Sequence, residues 1–462
     1  MKLVRSLLLG TAAGVVALTG AQAADLPMAE PVQYVRICDT FGAGFFYIPG
    51  TQTCLRIAGR VTAQYRPFQE QWTRTSDVGY FRTSAIFNFD ARSQTEWGTL
   101  RSYIQLRGYW ESNTGQRGNY LNLYGRGTTD RSINEPFINA AFVQFAGITA
   151  GYASSFFDAN GAAGFITGPQ GSAVNTMLAG YTATFGSGWS ATLSAEDARY
   201  RRAYSAPSSV VGGGFGLSPS PINYAAAVMP DIVGNIRIDQ SWGFFQLAGA
   251  VHQLRNNATG TPAFSTAPLV GGATGTFASN TLNDTDYGWA VQGSVKIMLP
   301  MIAKGDFIFG NAAYAEGAMG YLAFTGAGRT PLAGTTAART TAGLPGIGYS
   351  DAYVDPVTHR LRLSSGYHFV LGATHYWTPS LRSTVVGNTG RVSQFGGPGL
   401  LGASYSYDYF NIEGDLVWSP IRDLDLGLGV LYQSNYNMDL PALWRESDAN
   451  RWTTAVWVER RF

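Results

Sequence analysis

The chain has 462 residues, of which 45% are apolar, 13% aromatic and only 13% charged, with 57 glycines. That charged fraction is about half of what soluble globular proteins carry, so a surface wholly facing water is a poor fit. The formal net charge is +2, and losing Lys2 and Arg5 with a leader takes Lys+Arg from 32 to 30 against 30 Asp+Glu, which disfavours a globally basic nucleic-acid binder.

The first segment reads as a secretory signal peptide, residues 1–23. Lys2 and Arg5 are its positive region, Leu7 to Leu18 its apolar run, and Ala21-Gln22-Ala23 the small-x-small cleavage pattern. The run is too short for a transmembrane anchor. No later stretch offers 18 continuous apolar residues, so any membrane crossing must use strands, and these must close into a barrel because open edges cannot be satisfied in lipid. Residues 24–53 read as a periplasmic N-terminal segment. Its Cys38 and Cys54, with 15 residues between them, read as one disulfide in an oxidising compartment, with two free buried thiols as the alternative. Two cysteines without a nearby histidine make a poor metal site.

From residue 55 the chain reads LRIAGRVTAQYR. Leu55, Ile57, Val61 and Tyr65 alternate with Arg56, Arg60, Gln64 and Arg66, the period of a strand with two unlike faces. The pattern recurs. Arg82, Ser84, Asn88, Asp90 and Arg92 oppose Phe81, Phe87 and Phe89; Arg101, Tyr103, Gln105 and Arg107 oppose Leu100, Ile104 and Leu106. Sixteen such runs are predicted, at 54–66, 80–95, 97–110, 137–146, 147–156, 178–185, 189–196, 229–240, 244–255, 286–299, 305–316, 366–377, 381–390, 402–418, 422–433 and 451–462. Seven short connectors alternate with eight long ones (67–79, 111–136, 157–177, 197–228, 256–285, 317–365, 391–401, 434–450). Short turns at one rim and long loops at the other predict an all-β, sixteen-stranded antiparallel transmembrane barrel. A soluble sandwich does not sort its loops this way, and without an internal repeat a propeller is disfavoured. Trp97, Trp189, Trp242, Trp377 and Trp418, five of the eleven tryptophans, fall beside short turns, as an interfacial girdle requires. The last strand ends on Phe462, with Arg460 interrupting its apolar face near the rim, where a long cation can snorkel.

CDTFGAGFFYIPGTQTCLRIAG (Cys38 to Gly59) resembles the amino-terminal signature of alphaproteobacterial general porins of the porin family 2 type, and DLVWSPIRDLDLGLGVLYQ (Asp415 to Gln433) resembles their penultimate hairpin. SFFD (Ser155 to Asp158) is similar to the entry of their pore-constricting third loop. The resemblance implies an outer-membrane homotrimer passing small hydrophilic solutes and ions by passive diffusion, with 157–177 folded inward as the constriction. It also implies a second long loop, 111–136, reaching over a neighbouring subunit, with a mobile extracellular loop as the alternative.

If lipid meets the apolar faces, Arg56, Arg60, Arg82, Arg92, Arg101 and Arg107 line a wet lumen on adjacent strands, in a chain with 29 Arg and 3 Lys. A basic wall with low-dielectric surroundings focuses a field and biases ion entry. The third loop offers one acid, Asp158. Either the transverse field is therefore weak, or Asp90, Glu111, Asp130 or Glu135 supplies the negative side, and mild anion selectivity is expected. Each arginine has a second reading as a partner in a rim or inter-strand salt bridge.

Other signals carry less. His368 and His375 have opposite parity in one strand, His252 and His359 lie elsewhere, and neither a metal site nor a cofactor is expected. A serine hydrolase embedded in a barrel is the enzymatic alternative, but no serine is marked beside His375. GGGFG (Gly212 to Gly216) lacks the strand-to-helix setting of a phosphate cradle. The expected activity is therefore a diffusion channel and not an enzyme, with a sugar- or anion-specific channel or a non-conducting structural or adhesin barrel as alternatives.

Overall fold

The computed structural model describes residues 36–67, 79–112, 136–159, 161, 163–166, 168–169, 171–203, 220–257, 283–322, 350–355, 358, 360–395, 404–436 and 449–462. The leader (1–23), Asp130, Glu135, Gly212 to Gly216 and His359 lie outside the described residues, as does most of the 111–136 loop.

The chain divides into two units, 1–55 and 56–462. In the first, Cys38 and Cys54 form the disulfide, with Cα atoms 6.0 Å apart. The short strand Phe46–Tyr47 pairs antiparallel with Leu55 and Cys54. Cys38, Phe45 and Cys54 are buried against Phe41 and Tyr47, and the Arg36 guanidinium lies 4.9 Å from the Tyr47 ring.

The second unit is a closed antiparallel barrel of sixteen strands. They are β1 (Cys54–Pro67), β2 (Gly79–Thr95), β3 (Gly98–Glu111), β4 (Phe137–Phe145), β5 (Ile148–Ser154), β6 (Asn175–Gly186), β7 (Trp189–Glu196), β8 (Asp231–Gln240), β9 (Gly243–Asn256), β10 (Asp284–Met298), β11 (Phe307–Glu316), β12 (Ser365–Thr378), β13 (Leu381–Phe395), β14 (Ser404–Ile421), β15 (Leu424–Tyr436) and β16 (Ala449–Arg461). Neighbours in sequence pair all the way round, and β16 closes onto β1 with Arg60 opposite Arg461 and Tyr65 opposite Val456. The predicted strands and the alternation of short and long connectors are all present. Tight turns use the residues that permit them: both central residues of Ala146-Gly147 have positive φ (48° and 85°), which matches the twist of the flanking strands. At the seam Phe462 exchanges backbone hydrogen bonds with Gly59. A Cβ on Gly59 would come 2.7 Å from the Phe462 ring, so a glycine is needed where the terminal aromatic lies down.

The polarity is the reverse of a soluble core. Ile57, Val61, Ile104, Ile236, Leu247, Leu371, Leu416 and Val456 are exposed, while Thr62, Gln64, Asp90, Thr192, Gln246, Gln292, Asn311 and Asn411 are buried. In β1 the face carrying Arg56, Arg60, Thr62 and Gln64 is the inner one. Trp97, Trp189, Trp242, Trp377 and Trp418 are all exposed at the short-turn rim, as expected of a girdle. Arg460 does more than snorkel: it is 3.7 Å from the Asp423 carboxylate in the last tight turn.

Candidate functional site

The inner faces of β1, β2 and β3 bring the predicted arginines to one wall. Arg92 and Arg101 are register partners, and both grip Asp90: Arg92 donates at 3.0 and 2.7 Å, Arg101 at 2.9 and 3.1 Å. Arg101 also donates to Gln144 at 2.9 Å. Asp90 therefore sits inside the basic wall, not across from it. Two guanidiniums sharing one carboxylate are held rigidly and keep a surplus positive charge. Arg60 lies 3.6 Å from Glu459, which also accepts from Thr62. Arg82 and Arg107 pack over the Tyr109 ring at 4.9 and 5.7 Å. Arg56 is exposed on the same inner face. The salt-bridge reading thus holds for Arg60, Arg92 and Arg101 without removing them from the wall. Glu111 is the register partner of Arg82.

The connection between β5 and β6, in its described residues (155–159, 161, 163–166, 168–169 and 171–174), runs through the interior. Its start is held by inward amides: Gln292 donates to the Phe157 carbonyl at 2.8 Å, Asn235 to that of Phe156 at 2.6 Å. Gly161 faces Phe309 of β11, where a Cβ would come within 1.7 Å of the ring. The tip lands on β14 and β16. Phe165 N–H donates to Asp415 at 2.8 Å and Ile166 N–H to Glu413 at 2.5 Å. The Phe165 and Trp457 rings stack at 3.7 Å, 3° from parallel. Arg66 of β1 reaches the tip carbonyls of Ile166 and Phe165 at 3.3 and 3.4 Å.

Asp158 departs from its expected place on the lumen. Its side chain is fully buried and pairs with equally buried Arg201 at 2.9 Å, so it locks the loop's root. Arg201 also donates to Ser172 at 2.7 Å, on the returning limb of the loop. Burial works against the Arg201 charge, but Asp158, Tyr321 and Glu196 outweigh it and raise its pKa above the ordinary value.

A second loop insertion was not foreseen. After β11 the chain turns inward, and Met319, Tyr321 and Leu322 are buried with Phe157 against Ala248, Ala250, Ala290, Ala313 and Ala315. These alanines sit on the inner faces of β9, β10 and β11, and their small side chains leave room for the bulky ones. Further along, Ala352–Val354 pairs with Leu361–Leu363 and with Ser220–Pro221 from the β7–β8 connection. Buried polar groups pin this layer. Asp351 accepts from the Ala203 and Met319 N–H groups, both at 2.6 Å, and from the Tyr224 hydroxyl. Tyr321 donates to Asp231 at 2.7 Å, and Asp231 holds His252 Nδ1 at 2.8 Å. Burial pushes the Asp351 carboxyl up, with His252 and its hydrogen bonds pulling it partly back. Burial likewise pushes the Tyr224 and Tyr321 hydroxyls up. Three histidines occupy separate settings: His252 beside Asp231, His368 2.5 Å from Asn311, and His375 2.6 Å from Asp306. Among the described residues no group of three or more His, Cys, Asp or Glu could hold a metal.

Glu413 and Asp415 were readable as inward acids by parity. Their contact with the loop tip was not, because the partners are 247 and 250 residues apart.

A closed barrel with an apolar exterior, an aromatic girdle at the short-turn rim and a charged interior belongs to the outer-membrane channels. The family model described as "Porin subfamily" matches residues 25–450, and the chain belongs to that porin family. It is 32% identical over 324 residues to porin Omp2b of Brucella canis, covering 63% of this chain and 80% of that protein. The figures are the same for porin Omp2b of Brucella melitensis. Among solved structures, the outer membrane channel DcaP of Acinetobacter baumannii shares the fold, with a TM-score of 0.57 and 14% identity over 90% of this chain and 99% of that one. The protein is thus an outer-membrane porin, a water-filled channel for passive diffusion of small hydrophilic solutes and ions.

Proposed function

We propose that the eyelet of this porin lies between the arginine wall of β1–β3 and the inward loop 155–174, and that it favours small anions mildly. The observation that carries the reading is the inner face of β1–β3, where Arg56, Arg60, Arg82, Arg92, Arg101 and Arg107 share one side. The transverse field is weak for a stated reason: Asp158 is buried with Arg201, while Glu413 and Asp415 are occupied with the loop tip. Anion preference then comes from surplus positive charge on one wall, not from opposed rows. Family membership supports a homotrimer, with the 111–136 loop as the segment reaching over a neighbour. The first 23 residues are a leader removed after Ala23, and residues 24–53 face the periplasm.

Single-channel recording in planar bilayers, with solutes of graded size, tests the reading. Ohmic, non-saturating conductance with a modest anion reversal potential is expected, and Arg60→Ala and Arg101→Ala should each move that potential towards zero. An unchanged potential in both variants would remove the basic wall as its source. Block by one sugar alone would point to a dedicated sugar channel, and a silent bilayer to a structural barrel. Cross-linking in detergent reads the trimer directly.

A further inference from the structure

We propose that the inner face of β2–β4 is a binding track for aromatic carboxylates, a reading that rests on this wall facing an open lumen. The wall is more than basic: its guanidiniums are interleaved with aromatic rings in two tiers. In the tier nearer the long loops, Arg82 lies 4.9 Å from the Tyr109 ring and 5.9 Å from the Tyr80 ring. Arg107 approaches Tyr109 at 5.7 Å, and Phe137 meets the same ring edge-on, with centroids 5.8 Å apart at 79°. In the tier nearer the short turns, Arg101 lies 5.1 Å from Tyr103 and 5.4 Å from Phe142. Those two rings are stacked at 5.2 Å and 30°. A belt of amides separates the tiers: the Tyr103 hydroxyl and Gln105 Nε2 both donate to Asn88 Oδ1, at 3.0 and 2.8 Å. Arg101 and Arg107 are six residues apart on one strand, so the tiers lie about 20 Å apart along it.

Each tier offers two features side by side. A guanidinium attracts a carboxylate by its charge and can also lie flat on a ring; in the lower tier the N–H groups of Arg101 are committed to Asp90 and Gln144, so the attraction there is the surplus charge. A fixed aromatic ring takes another ring offset-stacked or edge-to-face. The lower tier keeps net positive charge, because Arg92 and Arg101 share the single carboxylate of Asp90. An aromatic acid uses both features at once. An aliphatic acid uses only the charge, and a neutral aromatic alcohol only the ring. Two similar stations along the wall give transient, repeated binding, which speeds passage of a dilute solute instead of trapping it.

The test is block of chloride current through the full-length reconstituted channel by benzoate, cyclohexanecarboxylate and benzyl alcohol. Cyclohexanecarboxylate matches benzoate in charge and approximate size but has no π-face. Benzoate is expected to reach half-block at a concentration about tenfold below cyclohexanecarboxylate, with benzyl alcohol weakest. Tyr103→Leu combined with Tyr109→Leu should abolish the difference between the two acids. If that variant fails to insert, Arg101→Lys serves instead, since it keeps the charge and loses the flat guanidinium face on which a ring can stack, and the preference should again shrink. Equal block by the two acids in the wild type, or an undiminished benzoate preference in the variants, would overturn the track while leaving the porin reading intact. A wild-type channel that conducts no chloride at all would overturn both.

Discussion

Phe165, at the tip of an interior loop, lies flat on Trp457 of the terminal strand, with ring centroids 3.7 Å apart. Two segments almost 300 residues apart are thereby joined in the middle of the barrel. Val417, Ala455 and Ile166 complete a small apolar patch around the pair, and Asp415 and Glu413 hold the adjacent N–H groups. Aromatic pairs contribute about 0.5–1.5 kcal/mol beyond their buried area. Phe165→Ala should therefore loosen the tip without unfolding the barrel. Single-channel records of this variant should show a larger and noisier open current. A current identical to wild type would mean that the tip does not bound the pore.

The root of the same loop depends on charge. Asp158 and Arg201 are both fully buried, and removing one member of such a pair leaves the other uncompensated, at a cost of about 3–5 kcal/mol. Asp158→Asn should lower the unfolding temperature of the detergent-solubilised protein substantially. Adding Arg201→Met to it should recover much of that loss, because no buried charge then remains. If the double variant is as unstable as the single one, hydrogen bonding of Arg201 to Ser172, and not charge balance, holds the loop.

How far the sequence reached follows from which contacts are local. The sixteen strands were legible because a period-two pattern survives whatever surrounds it, as in Arg82, Ser84 and Asn88 against Phe81 and Phe87. The girdle was legible because Trp189 and Trp242 stand beside their turns in the chain itself. Asp90 is one of four acids that the sequence offers for the negative side, since parity fixes the face of a strand but not which acid meets which base: it meets Arg92 and Arg101, on the same strand and the next. Asp158 was expected at the pore because its partner Arg201 is 43 residues away, with nothing in the intervening sequence to announce it. The second insertion left one trace, the alanines at inner positions of β9–β11, and small residues alone do not say what fills the space above them.

That insertion should respond to pH through Asp351, whose pKa in the docked state stands above its ordinary value because of burial. A carboxyl raised in this way binds its proton more tightly when the loop is docked. Docking is then fully favoured below the undocked pKa, about 3.9 for an aspartate, and weakens as pH rises from there towards the raised value. Hydrogen exchange at 319–322 and 350–355, corrected for intrinsic rates, should show greater protection at about pH 4 than at neutrality. Asp351→Asn should flatten that dependence. Protection that grows with pH would show that the hydrogen bonds to the ionised carboxylate dominate instead.

The Cys38–Cys54 disulfide closes a short loop around a three-residue apolar centre. For a loop of about 15 residues the entropic model assigns roughly 3 kcal/mol. So small a unit has little else to hold it, so Cys38→Ser with Cys54→Ser should expose residues 36–55 to proteolysis. The barrel's own strands are stapled to one another by continuous pairing round the closed sheet, and its unfolding temperature should change little. A collapse of barrel stability in this variant would mean that the first unit is needed to assemble the second.

The reversal of inside and outside can be tested with one residue type placed on two faces. Ile236, midway along β8, is 52% exposed, and Ser84 of β2 lies on the inner face beside Tyr109. In hydrocarbon, arginine at mid-depth costs about 2–4 kcal/mol. In a hydrated lumen the charge keeps its water and the penalty largely disappears. Ile236→Arg should therefore fold into phospholipid vesicles with clearly reduced efficiency, and Ser84→Arg nearly as well as wild type. The same two variants in detergent micelles, which deform around a charge, should differ less. If Ser84→Arg proved the more damaging in vesicles, the inner face would be dry, and the argument for a conducting lumen would fail with it.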